Sequence, residues 1–181
     1  GDALLFGDDG EFVFALVVFE DLATGALRLA CGCGDGKVRI FDPVAGGDAL
    51  LVLVVGDAAK ALAVFKDPAT GAPRLACGSG EKRRSGKVHI FDPVAGGDAL
   101  LELDIGSDVK APAVFKEPAT GTPRLACGSR DGNVRVFDAG SGGDALLVLD
   151  AGDTCVKALV VFKDLATGAP RLASICGTYK S

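Results

Sequence analysis

The sequence predicts an all-β fold of about four four-stranded repeat units, and three observations carry that reading. The first is a set of phrases that recur in step. Ala-Thr-Gly places its glycine at Gly25, Gly71, Gly121 and Gly168, at spacings of 46, 50 and 47 residues. Arg-Leu-Ala places its arginine at Arg28, Arg74, Arg124 and Arg171, and Gly-Asp-Ala-Leu-Leu begins at Gly1, Gly47, Gly97 and Gly143. Self-similarity at such a period marks a repeat architecture. The second is that each unit holds four apolar runs of strand length, and the third is the wealth of turn residues between them, with 26 glycines and 8 prolines in 181 residues. Four short strands per unit of about 46 residues is the make-up of one β-propeller blade. The expectation is a single propeller over residues 1–181, with units at about 1–46, 47–96, 97–142 and an incomplete 143–181.

Taken in order through the second unit, the runs are ALLVLVV (49–55), an outer strand, then KALAVF (60–65), RLACGS (74–79) and KVHIF (87–91). β-Branched and aromatic residues are frequent in them, as half-buried or buried strands require. VKALVVF (156–162) has the composition of a short helix, but its copies end within a few residues in the same Ala-Thr-Gly turn, so a strand is predicted there too.

The run Pro-Arg-Leu-Ala-Cys-Gly-Ser-Arg-Asp-Gly-Asn-Val-Arg-Val-Phe-Asp (123–138) resembles the WD-repeat segment in which a serine-containing strand, an Asp-Gly turn and a strand ending in Trp-Asp follow one another. The resemblance covers nearly the whole chain and implies a WD-repeat type of propeller, a fold that serves many roles and fixes none. The departures are regular. Phe41, Phe91 and Phe137, each followed by aspartate (Asp42, Asp92, Asp138), replace the family's tryptophan. The Gly-His pair becomes Gly56-Asp57, Gly106-Ser107 and Gly152-Asp153, and the strand serine persists at Ser79 and Ser129 but gives way to Cys33 and Cys176. With the histidine and indole of the family's hydrogen-bond relay gone, blade cohesion is expected to rest mainly on apolar packing.

After RLASICGTYKS (171–181) no fourth copy of the Lys-Val-Arg-Ile-Phe-Asp strand follows, while DALLF (2–6) reads as an outer strand without a blade of its own. In WD-repeat propellers an N-terminal outer strand commonly completes the last blade, which here would still leave one strand missing. Unpaired edges invite pairing with another chain. Three outcomes stay open: a self-closed four-bladed ring, a homodimer forming an eight-bladed ring, and a fragment of a longer propeller.

The net charge of −5 argues against nucleic-acid binding, which needs a clustered surplus of Lys and Arg, and favours a basic or neutral protein partner of unknown identity. No apolar run approaches the roughly 18 residues that span a bilayer, and the N-terminus lacks a signal-peptide pattern, so no membrane partner and a cytoplasmic location are expected. Cys31, Cys77 and Cys127 fall at one place in successive repeats, where neighbouring copies lie too far apart to bridge; free, buried thiols are expected.

No catalytic group assembles in the sequence, and neither cofactor nor metal is expected. The only histidine, His89, takes the position of Arg39 and Arg135 and is expected to face outward. Asp8, Asp9, Asp57, Asp104, Asp108, Asp150 and Asp153 fall in the links from an outer strand to the next inner strand, on one face of a propeller. They read as turn residues, as a docking surface for a basic partner or as a cation site, with Asp57, Asp108 and Asp153 the candidate contacts. Lys60, Lys110 and Lys157 open successive inner strands, with Phe14 in the first copy, and either ring the channel mouth as an anion site or pair with nearby aspartates. The insertion Gly-Glu-Lys-Arg-Arg-Ser-Gly (80–86) gathers Lys82, Arg83 and Arg84 on one loop, a second candidate contact. Arg28, Arg74, Arg124 and Arg171 recur too regularly for a unique site and are expected to repeat one structural contact. The functional expectation is a non-catalytic protein-interaction scaffold, with anion binding at the channel and self-assembly into a larger ring as alternatives.

Overall fold

The structure, a computed structural model, describes residues 12–80 and 86–177. Each of its first three sheets is an antiparallel four-stranded meander. The first contains β1 (Val13–Asp21), β2 (Ala26–Cys33), β3 (Lys37–Phe41) and β4 (Leu51–Val54). The second contains β5 (Ala59–Lys66), β6 (Pro73–Ser79), β7 (Lys87–Phe91) and β8 (Leu101–Asp104). The third contains β9 (Val109–Lys116), β10 (Pro123–Ser129), β11 (Asn133–Asp138) and β12 (Leu147–Asp150). Among the described residues a fourth sheet has two strands, β13 (Val156–Lys163) and β14 (Pro170–Cys176). Among the described residues there is no helix, and 156–162 is a strand, as its turn context predicts. The expected strand at 2–6 lies outside the described residues.

Each sheet is one blade, and β1, β5, β9 and β13 lie side by side as its innermost strands. A blade is covered on both faces by its neighbours, which is why the second strands read as near-continuous apolar runs rather than alternating ones. Leu75, Ala76 and Cys77 of β6 are all fully buried. Between the first and second blades, Phe19, Val38 and Leu53 pack against Leu75, Cys77 and Phe91; between the second and third, Val88, Ile90 and Leu103 meet Leu125, Cys127 and Phe137. Phe41, Phe91 and Phe137 thus fill the core positions assigned to them, each worth roughly 1.5–3 kcal/mol of apolar burial. Between the third and fourth blades the core is smaller, with Val134 and Val136 against Val156, Leu159 and Leu172.

Close approach of the blades depends on one glycine per repeat. Gly32, Gly78 and Gly128 stand opposite Ala15, Ala61 and Ala111 in their own sheets. A Cβ added there would come within 2.5 Å of the Ala59 carbonyl oxygen, 2.7 Å of Val109 and 2.5 Å of Val156, each the residue that opens the next blade.

The turn between first and second strands is equally regular. Asp67 Oδ1 accepts hydrogen bonds from the Ala69 and Thr70 amides, and Gly71, at φ 71°, closes the turn by donating to the Asp67 carbonyl. All six cysteines are free, and five are buried with Cys176 half-buried. Burial pushes the Cys77 and Cys127 thiols up to about 12.

Candidate interaction surfaces

In the first three blades the recurrent arginines prove to be clamps. Arg74 holds Asp67 of the first turn and Asp92 after the third strand, both at 3.0 Å. Arg124 does the same with Glu117 and Asp138, and Arg28 with Asp21 and Asp42 at 3.7 and 3.6 Å. Cohesion therefore has a polar component that the loss of the histidine–indole relay did not suggest. The third blade adds another, in which Ser129 donates to Asp131 at 2.6 Å and accepts from Arg135 at 3.0 Å.

At the start of the inner strands the lysines do not form a ring of like charge. Asp108 lies between Lys60 and Lys110, at 3.3 and 2.9 Å, and the Lys60 ammonium also donates to the Gly80 carbonyl. The Asp108 side chain is 2% exposed, so it belongs to this inter-blade ion pair and not to a docking surface. Its position just before β9 explains this burial, since the first inner-strand residues wedge against the preceding blade. Lys157 is exposed on the fourth blade.

Of the remaining aspartates, Asp153 is exposed and Asp57 half-buried, whereas Asp104 and Asp150 cap their own turns by accepting from Gly106 and Gly152. Asp8 and Asp9, and the loop residues Lys82, Arg83 and Arg84, lie outside the described residues. His89 departs from expectation. It is buried, its ring stacks on Phe91 at 6.1 Å between centroids, and its Nε2 lies 3.6 Å from Glu102. Blade stacking covers this strand position, and burial lowers the pKa of the imidazole against the pull of Glu102. Among the described residues no group of three or more His, Cys, Asp or Glu is placed to hold a metal.

The surfaces that sequence reading missed are at the two ends of the array. Leu16 and Val18 of β1 are exposed, although Leu62 and Val64, their counterparts in β5, pack into an inter-blade core. Val160, Phe162 and Ile175 are exposed on the fourth blade. A cleft of about 440 Å³ also opens between the first turns of the second and third blades, lined by Lys66, Asp67, Lys116 and Thr120 among others.

No family model matches the sequence, and no curated protein matches it. Solved structures do. The computationally designed Ika4 protein is 21% identical, with 97% of this chain and 99% of that one aligned at a TM-score of 0.65. A chain of a mitotic checkpoint complex is 24% identical over 95% of this chain and 46% of that one, at 0.69. Sqt1 of Saccharomyces cerevisiae is 15% identical over 91% and 43%, at 0.68. The fold is a β-propeller. This chain spans less than half the length of the latter two propeller chains.

Proposed function

We propose that this propeller is a non-catalytic scaffold that docks protein partners. The observation that carries the reading is the apolar surface of the end blades. Leu16, Val18, Val160 and Phe162 are exposed in strands whose copies elsewhere in the chain are covered, and contiguous exposed apolar surface on a folded protein marks an interaction site. The solved structure of a similar chain inside a multi-protein checkpoint complex supports the reading. Asp57, Asp153 and the Lys82–Arg84 segment are further polar contacts proposed for the partner. The test compares affinity capture by the wild-type chain, by Leu16→Ser/Val18→Ser and by Lys82→Ala/Arg83→Ala/Arg84→Ala, each checked for an unchanged thermal unfolding curve. Loss of a stoichiometric partner from either folded variant is expected; a partner set identical for all three would overturn the reading.

Self-assembly into a larger ring is the second reading, because the free faces of the first and fourth blades are the two halves of an interface that the chain makes three times with itself. Ile175 stands against it. It pairs with Ala158, the register place that Gly32, Gly78 and Gly128 hold, so its side chain would occupy the volume taken by the next blade. Light scattering over a range of concentrations is expected to give a steady 18.3 kDa, and a rise to twice that value would favour the ring. Anion binding at the channel is the weaker alternative, since Asp108 already balances two of its three lysines.

A further inference from the structure

We infer that the cleft between the first turns of the second and third blades binds a small phosphate monoester, its dianion seated between Lys66 and Lys116 and its organic part against Pro68 and Pro123. The inference goes beyond the scaffold reading and does not rest on it, because it concerns a small ligand held between two whole blades.

The repeat brings the two lysines together. Lys66 ends β5 and Lys116 ends β9, neighbouring inner strands, and each pairs with the proline that opens the second strand of its blade, Pro73 or Pro123. Both line a single cleft of about 440 Å³, within the range of about 300–1,000 Å³ usual for small-molecule sites. Every residue of its lining belongs to the second or third blade, so its shape is independent of either end of the array. Glu20 holds the same place in the first blade, so the junction of the first and second blades sets opposite charges where the next junction sets two like ones.

The other end of the same two strands shows what this spacing accepts. Lys60 and Lys110 are the second residues of β5 and β9, and the Asp108 carboxylate lies between them at 3.3 and 2.9 Å. One oxyanion thus reaches ammonium groups at equal register on both strands. At the cleft end no carboxylate takes that place. Neither Lys66 nor Lys116 is in an ion pair among the described residues. The nearby turn carboxylates are committed elsewhere: Asp67 accepts from two turn amides and Arg74, and Glu117 accepts from Arg124. Two exposed ammonium groups at a common cleft favour a ligand with about two negative charges, which a phosphate monoester carries at neutral pH.

A hydroxyl peculiar to this cleft adds a donor. Thr122 lines it, where the other three copies have Ala26, Ala72 and Ala169. The Thr120 hydroxyl has one proton and two acceptors in reach, Thr122 at 2.7 Å and Glu117 at 3.0 Å. An anion in the cleft favours donation to Thr122, which frees the Thr122 proton for the ligand.

The test titrates phenyl phosphate into the whole chain at constant ionic strength, followed by calorimetry and by amide chemical shifts. Saturable binding with a Kd below about 1 mM is expected, with the shifts gathered at Gly71, Thr120 and Thr122. Lys66→Ala and Lys116→Ala should each weaken it about tenfold and Thr122→Ala about threefold. Lys163→Ala, at the same register in the fourth blade but outside the cleft, should leave it unchanged. Phenyl sulfate has the same shape and one charge fewer, and should bind about tenfold more weakly; inorganic phosphate, which has nothing to set against the prolines, should also bind less tightly. The ligand comparison is made on the wild-type chain and needs no variant to fold. Absence of saturation at about 10 mM, equal affinity for phenyl sulfate or inorganic phosphate, or equal losses from Lys163→Ala and Lys66→Ala would overturn the inference.

Discussion

Gly32 and Ile175 hold one register place in different blades, and the difference between them lies in what stands in front. Gly32 faces the Ala59 carbonyl so closely that even a methyl group has no room, and the atom it meets is backbone, which cannot rotate away. Gly32→Ala should therefore cost about 1–3 kcal/mol, the usual range for overpacking, read as a lower urea midpoint with an unchanged slope. Ile175→Ala, on an exposed face, should stay within about 0.5 kcal/mol. Equal effects at the two places would mean that the fourth blade is covered as the first is. Asp131 offers a second residue-scale test. Burial alone would raise its carboxyl, but hydrogen bonds from Arg135, Ser129 and the Asn133 amide outweigh it and hold the group at about 2, below the ordinary 3.8. A lowered folded pKa gives stability that is present above the unfolded value and is lost as pH falls towards the folded one. The unfolding midpoint should thus drop between about pH 4 and pH 2, and Asp131→Asn should remove part of that slope; an unchanged slope in the variant would refute the assignment.

Within a blade, the clamp joins elements that are distant in sequence. Asp92 binds Arg74 through Oδ2 while Oδ1 accepts from the Val94 and Ala95 amides, so one carboxylate fastens the second strand and shapes the turn after the third. Asp92→Ala loses both functions and should cost about 1–3 kcal/mol; Asp92→Asn keeps an oxygen for the turn and should cost less. Chemical denaturation of both variants reads the difference, and identical losses would assign the whole effect to the ion pair. The repeat made Arg74 visible in the sequence as a structural residue, yet not its partners, because Asp67 and Asp92 lie 7 and 18 residues away and only the folded turns bring them together. Strand identity was legible for a different reason: apolar runs of four to nine residues separated by Ala-Thr-Gly and Asp-Gly turns leave one pattern of pairing. His89 was misread because its copies Arg39 and Arg135 are polar, and polarity of a position does not tell whether the next blade covers it. The glycine at Gly78 and Gly128 was a signal available in the sequence, and its replacement by Ile175 in the fourth copy leaves no room for the close approach that the glycines allow.

In the whole molecule, stability should fall off along the array, because a blade draws its cohesion from both neighbours and an end blade from one. β6 has Cys77 packed towards the first blade and Ala76 towards the third, both fully buried. β13 and β14 bury Val156, Leu159 and Leu172 on one side and leave Val160, Phe162 and Ile175 bare on the other, in a two-stranded sheet of a kind that is at best marginal alone. Native-state hydrogen exchange should therefore show the amides of β13 and β14 opening sub-globally, well below the free energy that protects β6 and β10. The exposed apolar residues make the comparison sharper, since any molecule that covers them adds protection by mass action. Protection of β14 equal to that of β6 in the isolated chain would require such a cover to be present already. Its dependence on protein concentration would then separate the two sources: protection that falls on dilution comes from a second copy, and protection that does not comes from within the chain.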